Sequence, residues 1–417
     1  GLGVSPTTVS YAWQSLVRAG AVTARGRNGT YVKSVHTADG ARRTLRTYES
    51  PGGLRLDLST GIPDPALLPD LGRALSQVSA QCYTASYVER PVLPDLEAIL
   101  RENWPFVPEE VTVVSGALDA LDRLTTHLVR MGDRVLVENP CFPPLLDLLE
   151  MAGAEPIGLP LDDEGPLLEA IQAALNADPA VLYLQSRAHN PTGVSLSPSR
   201  ARQIGRLLHG TRVRVVEDDH AGEISSLTLA SIGSYLPAQT VHIRSYSKSH
   251  GPDLRMAAIG GAGDVIDGLN HRRLLGSGWS SRLLQAVLVE LLTDDVSMAV
   301  VAEAREVYRE RRRGMTKLLR ERGVATSGRD GINLWVQVPN EQRALVVLAA
   351  AGIGVAPGSP FLADPLDADH VRLTVGLVPD DEAERVADAL GLAGGDPASL
   401  APDSNGRARR SARHAVR

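Results

Sequence analysis

The chemistry open to this chain narrows quickly if it needs a primary amine. Only Lys33, Lys248 and Lys317 occur, against forty arginines in 417 residues. Lys33 closes a short β-like run at 30–33. Lys317 stands among Arg311, Arg312, Arg313, Arg320 and Arg322, on a helix with the character of a solvated face. Lys248 differs, because it follows a strand, in the run Ser245-Tyr246-Ser247-Lys248-Ser249-His250-Gly251. Open α/β sheets place ligands at the C-terminal ends of their strands, and a lysine there can form a Schiff base with a carbonyl cofactor. The small hydroxylic neighbours allow close approach and supply donors.

Other residues fall where they could serve the same ligand. Arg255 follows Lys248 by seven positions and carries a planar fork suited to phosphate. Ser115-Gly116-Ala117 lies between a strand and a helix, where backbone amides bind anions. Asp218 and Asp219 both end a strand, and either carboxylate could face a pyridine nitrogen and keep it protonated, making the ring an electron sink. Asn190-Pro191-Thr192-Gly193 follows another strand and offers an amide in a tight turn.

Strands and helices must alternate to bring these residues together. Buried strands are expected at 111–114, 134–137, 180–184, 213–217, 241–244 and 257–260, with helical stretches between several of them. That pattern predicts a mostly parallel sheet covered on both faces. A long helix begins near Asp294, and a smaller α/β unit extends to about Leu392. Ahead of this body, Ser5 and Pro6 suit a helix start, and Val9, Trp13, Leu16 and Val17 recur at helical spacing until Gly20. The runs 21–24 and 30–33 flank Arg25-Gly26-Arg27-Asn28-Gly29 as a basic hairpin. Residues 34–56 have weak periodicity and are expected to form a linker.

Composition sets the outer bounds. Hydrophobic residues make up 43% and charged residues 22%, an ordinary globular balance. No apolar run approaches the roughly 18 residues that span a bilayer, so no membrane partner is expected. Two cysteines, Cys82 and Cys141, cannot build a disulfide framework or a cysteine-rich metal site, and no metal is expected. A cytoplasmic location follows as the default expectation. Residues 1–46 carry +6 and residues 401–417 carry +4, so 47–400 hold −16 of the total −6. Basic ends on an acidic body suggest a polyanion partner. The tail 393–417 is expected to be disordered.

Six short motifs in one order resemble the pyridoxal-phosphate (PLP) enzymes of the class I/II aminotransferase type, from about Asp57 to Leu392. They are Val-Val-Ser-Gly-Ala (113–117), Asn-Pro-Cys-Phe (139–142), Asn-Pro-Thr-Gly (190–193), Glu-Asp-Asp (217–219), Ser-Tyr-Ser-Lys (245–248) with Arg255, and Val-Arg-Leu-Thr-Val (371–375). The resemblance implies that Lys248 carries PLP as a Schiff base and that Asp218, rather than Asp219, faces the pyridine nitrogen. It implies that Asn190 bonds the ring hydroxyl and that Phe142 stacks on the ring. Ser115, Gly116, Ala117, Ser245 and Arg255 would hold the phosphate. Arg372 would grip a substrate carboxylate, as its bidentate fork allows. His220 stands where the family usually has a tyrosine that donates to the ring hydroxyl, which is expected to slow transamination more than cofactor binding. Tyr87, lacking the glycines that usually follow it, would reach a partner subunit's phosphate in a homodimer.

The text GLGVSPTTVSYAWQSLVRAGAVTARGRNGTYV resembles the second half of a winged helix-turn-helix of the GntR type. Its first helix and most of the second would precede Gly1, so the chain is expected to be incomplete at its start. Thr7, Thr8, Ser10 and Tyr11 would face a DNA groove, with Arg25, Arg27 and Lys33 on the wing. The expected domains are a partial winged helix (1–33), a linker (34–56), a PLP-binding large domain (57–293), a small domain (294–392) and the tail. A winged helix fused to an aminotransferase-like domain describes the MocR subfamily of transcription regulators. The implied function is a PLP-dependent regulator that binds DNA and senses a small amino compound. The alternative is a PLP-dependent aminotransferase.

Overall fold

The strand Arg214–Asp219 buries every residue from Val215 to Asp219, and its neighbours are equally enclosed, so together they make the centre of the molecule. A computed structural model describes residues 5, 7–10, 13, 22–24, 30–32, 40–48, 53–78 and 90–394. Eight strands form one sheet in the order Glu110–Val114, Ala257–Gly261, Thr240–Ser245, Arg214–Asp219, Val181–Leu184, Arg134–Asn139, Glu155–Asp162 and Gly165–Pro166. The run from Thr240–Ser245 to Glu155–Asp162 pairs in parallel, while Ala257–Gly261 is antiparallel to both its neighbours. All six expected strands are present, with ends within two residues of the expected bounds. Glu155–Asp162 is a further strand whose sequence lacks an apolar pattern, because Pro156, Gly158 and Pro160 interrupt it, which a strand near the sheet edge tolerates.

Helices cover both faces. Leu121, Leu124, Leu146, Leu149, Ile266 and Leu269 fill one side, and Ile171, Ile204 and Leu208 fill the other. Each fully buried side chain of this kind contributes about 1.5–3 kcal/mol, against roughly 0–1 for an exposed ion pair, so these two layers carry the stability. A second sheet, with Asp369–Leu373 between Leu334–Val338 and Ala356–Pro357, packs with the helices Glu341–Ala350 and Ala383–Gly394 as the smaller unit.

The helix Asp295–Glu321 joins the two. Asp294 caps it by accepting the Ser297 N–H at 2.9 Å. Its buried positions Val301, Ala304, Tyr308, Arg312, Met315 and Leu319 recur at helical spacing. The expectation of a solvated face fails at Arg312, which is buried and donates to the carbonyls of Asn333, Gly331, Ser327 and Thr192. Arginine in an apolar stripe is tolerable only because backbone oxygens satisfy it.

The stretch read as a linker is more ordered than its weak periodicity implies. Arg42–Tyr48 is helical, and the carboxylate that caps it lies about a hundred residues away. Asp147 accepts from the Arg43 N–H (3.1 Å), the Thr44 N–H (2.8 Å) and the Thr44 hydroxyl (2.6 Å). Leu56–Asp57 then pairs in parallel with Ile353–Gly354. At the N-terminal end, the Ser5 hydroxyl accepts the Thr8 N–H at 3.1 Å, as a cap should. Val22–Ala24 and Thr30–Val32 pair antiparallel, so the expected hairpin is present. Thr7, Thr8 and Ser10 are exposed on helical backbone. Tyr11, Arg25, Arg27, Lys33, Cys82, Tyr87 and 395–417 lie outside the described residues.

Candidate cofactor and ligand site

Three parallel strands and the turns beyond them bring the chemistry to one sheet edge. Asp218 sits near the end of Arg214–Asp219, opposite Ile243 of Thr240–Ser245. Lys248 follows that second strand by three residues, and Gln185 directly follows Val181–Leu184. The Asp218 Oδ2 accepts from Gln185 Nε2 at 2.8 Å, whereas Oδ1 is buried with no hydrogen-bond partner. Burial pushes the carboxyl up to about 6, against the hydrogen bond from Gln185 and the Lys248 charge. An anion enclosed this way is costly unless a cation or a strong donor meets it. A protonated ring nitrogen is such a donor.

Asp219 cannot compete for that role. The Arg187 guanidinium holds both its oxygens at 2.8 Å, and although burial alone would raise its carboxyl, this pairing brings it down to about 2. Alternation along the strand turns Asp219 to the opposite face, beside His242 and Glu217.

Lys248 donates to the Gly61 carbonyl. Burial lowers its ammonium to about 8, with the nearby Arg372 charge acting in the same direction and Asp218 opposing. Arg372, on Asp369–Leu373, donates to the Ser59 carbonyl and to Asn190 Oδ1, the latter at 3.4 Å. Two of its bonds therefore go to uncharged oxygens, and its guanidinium lies 5.4 Å from the Phe361 ring centroid. Asn190 is buried, and with its Oδ1 occupied its Nδ2 is the end that can donate to a ring oxygen. Phe142, half-buried, borders a small cavity with Asp218, Gln185, Tyr183 and Cys141.

The residues suited to an anion lie at a helix start. Gly116 has φ 100°, and a Cβ there would meet the Arg255 guanidinium at 3.6 Å, so the exposed arginine stands directly beside the glycine. Gly116 and Ala117 begin the helix Ala117–Leu128, where the first amides have no intrahelical acceptor. The Ser115 N–H is directed elsewhere, to Asp119 Oδ2 at 2.9 Å, which leaves its hydroxyl for an anion. Ser245 is buried and accepts the Ser247 N–H at 3.3 Å. By their chemistry, the unpartnered Asp218 oxygen suits a protonated ring nitrogen, and the helix start with Arg255 suits a phosphate, the two ends of PLP. Among the described residues, no cluster could hold a metal ion, and no helix is long and apolar enough to cross a membrane.

His220 does not substitute for a tyrosine donor. Its Nε2 meets the Ala188 carbonyl at 2.8 Å, so a neutral ring spends its only N–H there and Nδ1 can only accept. Burial depresses its pKa to about 4, and the Lys248 charge adds to the effect. The ring should therefore stay neutral with the proton on Nε2 from about pH 8 down to about pH 5. Nitrogen-15 NMR of labelled protein checks this, and a titration near 6.5 would contradict it. Because the folded pKa is depressed, this histidine's contribution to stability is full above about pH 6.5 and is lost as pH falls through about 4.

Two residues absent from the expected set belong to the site. Gln185 bridges Asp218 and Asn190, and its place immediately after a buried strand was the available signal. Gly61 closes the site from a segment far away in sequence, and nothing in Ser59-Thr60-Gly61 announces it.

Residues 55–390 match the model of the aminotransferase class I and II family. The vitamin B6 salvage pathway transcriptional repressor PtsJ of Salmonella typhimurium is 34% identical over 393 residues, covering 93% of this chain and 89% of that protein. The HTH-type transcriptional regulator TauR of Rhodobacter capsulatus is 28% identical over 413 residues, covering 87% and 83%. Crystalline LysN, an α-aminoadipate aminotransferase from Thermus thermophilus, superposes with a TM-score of 0.74 at 22% identity, covering 84% of this chain and 96% of that one. At that identity the likeness establishes the fold alone. The chain belongs to the MocR-type branch of the GntR transcription regulators, in which an aminotransferase class I and II domain is joined to a helix-turn-helix segment.

Proposed function

We propose that this regulator binds PLP at Lys248 and senses an amino compound there, transmitting occupancy to its DNA-binding segment. When bound, PLP supplies a carbonyl for amine exchange and a ring that accepts electrons. The chain's own residues do the rest. Asp218 holds a proton at the ring nitrogen, Asn190 donates to the ring oxygen, and Phe142 excludes water from one ring face. Gly116, Ala117, Ser115, Ser245 and Arg255 bind phosphate, and Arg372 orients a carboxylate.

The observation that carries the regulatory part is where the helix Arg42–Tyr48 docks. Asp147, which anchors it, lies on Pro143–Met151, the helix that begins directly after Phe142. Arg43 also donates to the Leu362 carbonyl at 2.9 Å, next to Phe361, whose ring lies beside Arg372. The segment leading to the DNA-binding end thus contacts the helix that follows Phe142 and the residue that follows Phe361. A ligand biases such an arrangement only by binding two head placements with different affinity.

The test is binding of duplex DNA from upstream of the protein's own gene, with and without PLP and a panel of amino acids. A ligand-dependent change of about 5- to 150-fold is expected. Keto-acid turnover on the order of 1–1,000 per second with no effect on DNA would favour the aminotransferase alternative. The kinship with PtsJ, named for vitamin B6 salvage, favours a second reading in which PLP itself is the signal. A full response to PLP alone distinguishes it. Asp147→Ala should release the helix at a cost of about 0.5–2 kcal/mol. Limited proteolysis within 40–55 should accelerate, and the ligand response on DNA should shrink.

A further inference from the structure

We propose that Gln185 is the positioning residue of this site, fixing both Asp218 and Asn190 through the two ends of one amide. The proposal rests on the reading of the site as PLP-binding.

The amide has one possible orientation. Its Oε1 accepts the Asn190 N–H at 2.7 Å, and that backbone group can only donate. The Nε2 must then face Asp218, where it donates to Oδ2 at 2.8 Å. Flipping the amide would set donor against donor at Asn190 and oxygen against carboxylate at Asp218. The backbone of Gln185 is pinned as well, its N–H donating to Glu138 Oε2 at 2.8 Å. With Gln185 only 7% exposed, water offers little substitute for either bond.

The consequence is an ordered row of polar groups across the floor of the site. Gln185 engages Oδ2 of Asp218, which leaves Oδ1 as the oxygen that meets the ring nitrogen. It also holds the backbone of Asn190, whose Oδ1 accepts from Arg372. One side chain therefore sets the spacing between the acceptor at the ring nitrogen, the donor at the ring oxygen and the arginine for a carboxylate. Its donated hydrogen bond also favours the ionised form of Asp218 against the burial that disfavours it. Methionine supplies neither end, and an ionised glutamate supplies only the acceptor.

The test uses the full chain with PLP as the probe, comparing Gln185→Met, Gln185→Glu, Asp218→Asn and the Gln185→Met/Asp218→Asn pair. Readouts are PLP affinity, the pH midpoint of the visible band of the bound cofactor, and thermal unfolding without PLP. Gln185→Met should weaken PLP by about tenfold, the scale of a lost hydrogen bond to a charged group. It should also move the band's midpoint upward, because a neutral Asp218 no longer keeps the pyridine nitrogen protonated. That positive charge then ceases to oppose protonation at Lys248 Nζ. Gln185→Glu keeps the shape and the acceptor for Asn190 but places oxygen against Asp218, so it should shift the midpoint the same way. The double variant should lose much less affinity than the two single losses combined. Unchanged affinity and midpoint in both Gln185 variants, or strictly additive losses, would overturn the proposal. A wild-type chain that retains no PLP would overturn the site reading itself, and that result is visible before any variant is made.

Discussion

Lys248→Ala should abolish covalent PLP labelling completely, the largest change expected of any single substitution. Borohydride reduction of the wild-type protein should fix the cofactor on the Lys248 peptide and remove its visible band, and the alanine variant should yield no labelled peptide. A displaced label on Lys33 or Lys317 would disprove the assignment. Among the described lysines the contrast is sharp, since Lys317 is exposed beside Glu321 on the long helix. Lys248 meets the requirements of an amine nucleophile, which must be partly neutral at working pH. Lowered to about 8, it holds roughly two orders of magnitude more neutral amine near pH 7 than an ordinary lysine at about 10.4. The rate of attachment should therefore rise with pH and level off near 8, whereas an unperturbed surface lysine would continue to climb. Loss of the contact to the Gly61 carbonyl removes one hydrogen bond from a charged donor and should cost the fold about 1–3 kcal/mol.

What the sequence made legible follows from how local each determinant is. The strand at 180–184, Ala-Val-Leu-Tyr-Leu, is an unbroken apolar run, and such a run needs no distant partner to declare itself. Asp218 lies near a strand end, and Lys248 and Asn190 in the turns that follow two others, so a rule about sheet edges reaches them one at a time. Choosing Asp218 over Asp219 is different, because the deciding partner, Arg187, lies 32 residues away. The helix Arg42–Tyr48 has no local signature because its cap comes from Asp147, across the fold. His220 is expected to differ from a tyrosine in charge and donor, but where its proton goes depends on the Ala188 carbonyl, a bond that no spacing in the sequence encodes. Buried Arg312 defeats the expectation of a solvated face for the same reason, since its acceptors are carbonyls of four separate residues. Long-range hydrogen bonds, more than packing, are what the linear pattern withholds.

Gly61→Ala should weaken binding of a carboxylate-bearing amino compound by about 10- to 100-fold while leaving PLP on Lys248 within about twofold. Gly61 has φ 65°, a left-handed conformation that costs an L residue roughly 1–2 kcal/mol. Strain alone does not account for the size of the effect. A Cβ at this position would stand 2.8 Å from Arg372 Nη1 and 3.3 Å from its Cζ. The guanidinium cannot withdraw freely, because it is held by the Ser59 carbonyl two residues before the glycine. The chain cannot shift freely either. The Gly61 N–H donates to Thr374 Oγ1 at 2.9 Å, and downstream the Asp64 N–H donates to Tyr308 Oη at 2.8 Å. Asp64 is also paired with Arg311 at 2.8 Å, so the segment is fastened on both sides of the glycine. The added methyl must therefore displace the arginine that orients the ligand, while Lys248, which meets Gly61 through its carbonyl, keeps its cofactor. Gly210→Ala is the control: φ is 78° there, and a Cβ would meet nothing within 4 Å. It imposes the same kind of backbone strain far from any guanidinium and should cost stability without touching ligand affinity. Spectral titration of both holoproteins with the amino compound found active on DNA decides the matter. Equal affinities in the two variants would mean that Arg372 does not anchor the ligand.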